Sequence, residues 1–291
     1  MDMNCLIIGA SSYIAKEFIA SFQSHMHIVT LTRDALLQDY TDINDKIFQG
    51  IDVVINFTAI VHQKNPSQSM AKKINTDLAL FLAHKTRSFN IPHFIQMSTI
   101  AVYAPTLTHI NADSVPAPVS IYGKTKLEAD NKLLAMQTNN FKVAIVRPPL
   151  VYGYKAPGNM SSLIWLLQHP LWLPFGKVQN SRSILYVENL TMALYKISTL
   201  SKAGVFLVRD EVSPSLTLLC TQIRKSLSLK KRLFPLTKSL IHVLIRFKNL
   251  PFYKLYDSLT IDDNWTRQNI GHYTVVDFPT SIQQTVNGST C

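Results

Sequence analysis

Along the first half of the chain, short apolar runs alternate with segments whose apolar residues recur every three or four positions. NCLIIG (Asn4 to Gly9) is nearly all apolar and predicts a buried strand, while SYIAKEFIASF (Ser12 to Phe22) sets Ile14, Phe18 and Ile19 on one helical face. HIVTLT (His27 to Thr32) predicts a second strand and IDVVINFTA (Ile51 to Ala59) a third. The unbroken hydrophobicity of the third fits a central strand covered on both faces. A helix over Met70 to Arg87, a strand over His93 to Thr99, a helix over Val119 to Gln137 and a strand over Phe141 to Arg147 continue the series. Strand and helix alternating in this way predict an α/β fold with a doubly wound parallel sheet, its ligand lying beyond the carboxyl ends of the strands.

After Arg147-Pro148-Pro149 the regularity fades. Proline and glycine punctuate residues 148–176, and strand-like SILYV (Ser183 to Val187) and VFLV (Val205 to Val208) then alternate with helical stretches. The pattern predicts a dinucleotide-type domain over 1–150 and a smaller, partly interleaved α+β substrate lobe over 151–291, with some later segments returning to the first domain. There is no internal repeat, no low-complexity tract and no visible linker.

Composition narrows the class. With 291 residues, 47% of them hydrophobic and 16% charged, the chain reads as globular. The start carries no basic leader with an apolar run, and no window has the apolar length of a membrane span, so a cytoplasmic location is expected. The three cysteines, Cys5, Cys220 and Cys291, are widely spaced and odd in number, which suits a reducing compartment and gives no metal-ligand pattern. His25 and His27 border a strand with no third ligand in view, so no metal is expected.

The formal charge of +11 is uneven. Between Glu211 and Asp257 there is no acidic residue, while Arg224, Lys225, Lys230, Lys231, Arg232, Lys238, Arg246, Lys248 and Lys254 fall there, interleaved with apolar residues as in LIHVLIRF (Leu240 to Phe247). Such a tract is either the solvated face of ordinary helices or a basic amphipathic surface, so weak membrane-surface contact through 212–256 stays open. Nucleic acid is not expected, because no recognition module is present.

Candidate chemistry begins where the first strand runs into GASSYIA (Gly9 to Ala15). Strand, tight turn and helix N-terminus together make a phosphate cradle of exposed N–H groups. Small residues are wanted at Gly9, Ser12 and Ala15; only the first is glycine, and a plain capped helix is the competing reading. At the tip of the second strand, Arg33 offers a fork for a 2′-phosphate and favours NADP(H), while Asp34 keeps NAD open. In SIYGKTK (Ser120 to Lys126) a phenol and an ammonium lie four residues apart on a helix. With 11 tyrosines in the chain, one such spacing is what random order gives, so the pair gains meaning only beside a cofactor turn.

These stretches occur in one order with DVVINFTA (Asp52 to Ala59), KINTDLA (Lys73 to Ala79), MSTIAVY (Met97 to Tyr103), SIYGKTKLEAD (Ser120 to Asp130), VRPPLVYG (Val146 to Gly153) and SRSILYVENL (Ser181 to Leu190). As a set, spanning about residues 5 to 190, they resemble the extended short-chain dehydrogenase/reductases of the nucleotide-sugar epimerase/dehydratase family, of the UDP-glucose 4-epimerase-like kind. The resemblance implies a Rossmann-type fold, a nicotinamide cofactor and a nucleotide-sugar substrate used in surface polysaccharide precursor synthesis.

It implies Tyr122 as the acid/base, with Lys126 and the oxidised nicotinamide drawing the phenol pKa toward neutrality. Lys126 would also hold the nicotinamide ribose, Thr99 would hydrogen-bond the reacting oxygen, and Asn75 would support Lys126. Gly9, Ser11, Ser12, Tyr13, Ile14, Arg33, Thr58, Ala59 and Pro149 would line the cofactor; Arg182 and Asn159 would bind the diphosphate or sugar. A homodimer through the Tyr122 helix and its neighbour is also implied. Family dehydratases carry an Asp-Glu pair where this chain has Ile100 and Ala101, so elimination is not expected; 4-epimerisation or reduction of a 4-keto sugar remains. The alternative is a non-catalytic NADP(H)-binding regulator on the same fold.

Overall fold

In the computed structural model, which describes residues 3–32, 36, 40, 43–60, 68–169, 173–229, 233–235 and 256–288, ten strands form three sheets. They are β1 (Asn4–Ile8), β2 (His27–Leu31), β3 (Val53–Asn56), β4 (His93–Met97), β5 (His109–Ile110), β6 (Lys142–Arg147), β7 (Leu150–Tyr152), β8 (Ile184–Tyr186), β9 (Gly204–Leu207) and β10 (Thr260–Ile261). The central sheet has the order β2-β1-β3-β4-β6-β9 and every pair is parallel, with Leu6 opposite Val29 and Val54, and Phe94 opposite Val54 and Val143.

The apolar runs are continuous because both sheet faces are covered. Along β1, Cys5 and Ile7 face one core and Leu6 and Ile8 the other. On the first face lie α1 (Tyr13–Phe22) and a later helix, Val187–Thr199. On the second lies α2 (Gln68–Lys72), which passes through a π-turn (Lys73–Asp77) into α3 (Leu78–Ser88), followed by α4 (Ile121–Ala135). Each fully buried Leu or Ile there contributes about 1.5–3 kcal/mol. Serine sets both functional helix starts: Ser12 Oγ accepts from Ala15 N at 3.3 Å and Ser120 Oγ from Gly123 N at 3.0 Å.

The helices after α4 are α5 (Asn159–Gln168), α6 (Val187–Thr199), α7 (Leu216–Ser226), α8 (Asn264–Ile270) and α9 (Phe278–Asn287). VFLV supplies β9, the sixth strand of the central sheet, pairing Val205 with Ile145 and Leu207 with Arg147. The second half of the chain therefore contributes both α6 and an edge strand to the first layer system. Its remaining core gathers Tyr152, Leu163, Phe175, Cys220, Phe278 and Ile282 around the β7–β8 pair. Asp210 fastens this lobe: it accepts from Tyr152 Oη (2.8 Å), Tyr186 N (3.0 Å) and Asn189 Nδ2 (2.8 Å), and Tyr152 Oη also meets Ser281 Oγ at 2.7 Å. Burial lifts the Asp210 carboxyl to about 6 despite these donors.

Cys5 and Cys220 are buried free thiols, and burial pushes both thiol pKa values up. No group of metal-ligating side chains occurs among the described residues, and none of the described helices is long and apolar enough to cross a membrane. Within the basic tract, Arg224 is buried and Lys225 exposed on α7; Lys230, Lys231, Arg232, Lys238, Arg246, Lys248 and Lys254 lie outside the described residues, as do Arg33, Asp34 and Cys291.

Gly9 has φ +81°, and a Cβ there would stand 3.1 Å from Thr58 N. A Gly9→Val variant is expected to lose about 1–2 kcal/mol of stability from the backbone conformation alone. Urea unfolding monitored by circular dichroism checks this.

Candidate active site

The cradle, its Thr58 wall and the Thr99 turn leave the central sheet at the carboxyl ends of β1, β3 and β4. After β1, Gly9 N and Ala10 N donate to Leu31 O (2.7 and 3.2 Å), and Ser12 N returns to Gly9 O at 3.0 Å, closing the turn into α1. Gly9, Ser11, Ser12, Phe57, Thr58 and Ala59 line one pocket over that helix start. The β3 tail is fixed by Asn56, whose Oδ1 accepts from Thr58 N (3.0 Å) and Thr58 Oγ1 (2.6 Å) while its Nδ2 donates to Gln96 at 2.8 Å. The pocket therefore has a glycine floor, two tethered walls and the positive end of a helix. Tyr13 and Ile14, the first residues of α1, do not line this pocket. The Ile14 side chain packs on the core beneath the sheet, and the Tyr13 hydroxyl is buried without a hydrogen-bond partner, where a Cβ on Gly153 would meet it.

The second group assembles where β4 meets α4. Ser98 N donates to Val146 O (2.7 Å) and Ile100 N to Pro148 O (3.1 Å), tying the β4 tail to the end of β6, where Pro149 is buried. Thr99 caps a short 3₁₀ turn (Ile100–Val102), its Oγ1 accepting from Ala101 N at 3.1 Å. The Thr99 hydroxyl also stands beside the Tyr122 phenol, where it favours the phenolate. Close approach makes this possible. A Cβ on Gly123 would run into the Ala101 carbonyl and Pro118, so only glycine lets α4 seat there. One turn further, Lys126 is fully buried and its Nζ has no hydrogen-bond partner.

Asn75, in the π-turn, accepts from Ile60 N (2.9 Å) and donates to Thr125 Oγ1 (3.0 Å), so it braces the residue before Lys126. The widened turn changes the helical phase, which periodicity in the sequence does not reveal. In the protein without cofactor, burial pushes the Tyr122 phenol up to about 12, ahead of the lowering by Thr99 and a further rise from Asp130. Lys126 moves the other way, down to about 8, because burial outweighs the stabilising charge of Asp130.

Sequence reasoning missed a neighbouring cluster. Asp130 Oδ2 accepts from Ser98 Oγ (2.7 Å) and from Arg147 Nε and Nη2 (both 3.0 Å), and Arg147 Nη1 donates to Tyr103 Oη at 2.9 Å. The available signal was an acid four residues beyond Lys126. The expected substrate residues stand apart, on the second lobe. Asn159 is exposed at the first turn of α5, and Arg182, half-buried, bridges to Leu259 and donates from Nη1 to Asp257 O at 3.4 Å.

The arrangement fits a nicotinamide dinucleotide on two observations of this structure: a glycine-floored cradle that a Cβ would fill, and a buried ammonium with no partner of its own. The chain belongs to the NAD dependent epimerase/dehydratase family, whose model matches residues 5–206. It is 27% identical to a UDP-glucose 4-epimerase of Vibrio cholerae, over 72% of this chain and 71% of that protein. Its fold is shared with a UDP-glucuronic acid 4-epimerase from Bacillus cereus in complex with NAD (18% identity, TM-score 0.77, 98% of both chains). It is likewise shared with a dTDP-4-dehydrorhamnose reductase from Bacillus anthracis in complex with NADP (17% identity, TM-score 0.76, 99% of both chains).

Because the Lys126 ammonium is lost as pH rises through about 8, nicotinamide dinucleotide affinity is expected to be flat below that pH and to fall above it. The fall is about tenfold per pH unit while the charged form alone binds. Calorimetric titration checks this, and a Lys126→Met variant is expected to bind weakly with no such dependence.

Proposed function

We propose that this protein interconverts nucleotide-activated sugars at C4, acting as a 4-epimerase on a UDP-hexose or UDP-N-acetylhexosamine. One observation carries the reading: the Tyr122 phenol stands beside the Thr99 hydroxyl, one helical turn from a buried Lys126 whose Nζ has no hydrogen-bond partner. Tyr122 Oη takes the proton of the C4 hydroxyl and returns it, Thr99 shares the hydrogen bond to the reacting oxygen, and the Lys126 charge favours the phenolate. The cofactor, when bound, supplies the hydride acceptor and donor. Gly9, Ser11, Ser12, Thr58 and Ala59 would hold its phosphates and Lys126 its nicotinamide ribose, with Pro149 alongside. Asn159 and Arg182 would hold the diphosphate or sugar of the substrate. Ile100 and Ala101 carry no proton-transfer group beside Thr99, which disfavours elimination of water.

Net reduction of a 4-keto sugar is the second reading, favoured by the turn residues Ser12 and Ala15: a glycine-poor cradle suits a cofactor that leaves after each turnover. Arg33 inclines that cofactor toward NADP(H). The same proposal includes a cytoplasmic homodimer formed through α4 and its neighbour, where Met70 and Ile121 are exposed apolar residues.

Purified protein incubated with UDP-glucose, UDP-N-acetylglucosamine and a 4-keto UDP-sugar, with and without NADPH, separates the readings. Product formation without added cofactor supports epimerisation, and obligatory NADPH oxidation supports reduction. A Tyr122→Phe variant is expected to lose about 10²–10⁴-fold in turnover with cofactor binding retained. Full activity in that variant overturns the proton-transfer assignment.

A further inference from the structure

Asp130 sits one turn beyond Lys126 on α4, and both side chains are fully buried. Their unmet bonding capacity is complementary: Lys126 Nζ has no hydrogen-bond partner, and neither has Asp130 Oδ1. Two opposite charges at i and i+4 share one helix face, and each acts on the other with no ion-pair contact between them. Asp130 is itself held by its other oxygen, which takes Ser98 from the β4 tail and two donors of Arg147 from β6.

Among the described residues, no other carboxylate acts on Lys126. From α4 the neighbouring titratable group is the Tyr122 phenol; from β6 it is the Arg147 cation; beyond the 3₁₀ turn it is the Tyr103 phenol, bound to Arg147. The π-turn offers the neutral side chains of Asn75 and Thr76, both engaged with Thr125 or its backbone. Burial without a partner drives an ammonium toward the free amine, and an amine would neither favour a phenolate nor charge the cofactor pocket.

We propose that Asp130 is a positioning residue: its carboxylate, locked by Ser98 and Arg147, keeps Lys126 an ammonium inside the dry pocket. This rests on the roles of Tyr122 and Lys126 given above. Asp130 touches no reacting atom and acts only through Lys126.

The test reads Lys126 directly in the protein without ligands, following its ¹³Cε resonance from about pH 5 to 10 in ¹³C-lysine-labelled protein. Asp130→Asn is expected to move the Lys126 midpoint down by about one pH unit or more, and Asp130→Glu to restore it. Because Asp130→Asn leaves Arg147 buried and unpaired, the double variant Asp130→Asn/Arg147→Gln keeps the test open if the single one fails to fold. Removal of the Arg147 cation by itself favours the ammonium, so a downward shift that survives in the double variant is the work of Asp130. A folded variant with an unshifted midpoint overturns the proposal, and with normal turnover it leaves the reaction standing. A shifted midpoint in protein that converts none of the sugars supports the hold of Asp130 on Lys126 and counts against the reaction alone.

Discussion

The seating of α4 against the tail of β4 governs the site. Gly123 has no side chain, so the helix comes down on the Ala101 carbonyl, and Tyr122 then reaches Thr99. The same approach sinks Lys126 out of water. Burial acts on the two groups in opposite senses, raising the phenol and lowering the ammonium, so each is pushed toward its neutral form. What opposes this is local: one hydroxyl beside the phenol and one carboxylate beyond the amine. Burial makes electrostatics strong around these two groups, and it works against their charged forms unless partners are fixed in place.

Much of the fold was legible because the inner strands of the central sheet are covered on both faces and each flanking helix on one. β1, β3, β4 and β6 therefore stand out as apolar runs, while Phe18 and Leu82 mark helical stripes. The return of β9 was harder to read. VFLV has the same composition whether it pairs in a small lobe or at the edge of the main sheet, and only its register with Ala144–Arg147 distinguishes them. Contacts such as Ser98 with Asp130 or Asn75 with Thr125 join residues 32 and 50 positions apart, and no periodic pattern records them.

The cradle after β1 shows how few glycines such a turn requires. Gly9 is demanded by a positive φ and by Thr58 overhead. Ser12 serves instead as the helix cap, and Ala15 is fully buried against the sheet, where a methyl group is accommodated. Steric need at one position and tolerance at the others explain why the motif looks depleted while the turn keeps its shape.

The fastening of the second lobe has a temporal consequence. Asp210 gathers groups from β7, β8 and α6, yet Tyr152 also bonds Ser281, and Phe278 and Ile282 complete the same core. During synthesis, the residues that line the cradle after β1 emerge first, the helix α6 that covers its sheet and the edge strand β9 follow, and the second core waits for α9. A nascent polypeptide thus carries the cradle residues well before the second lobe has the side chains to close.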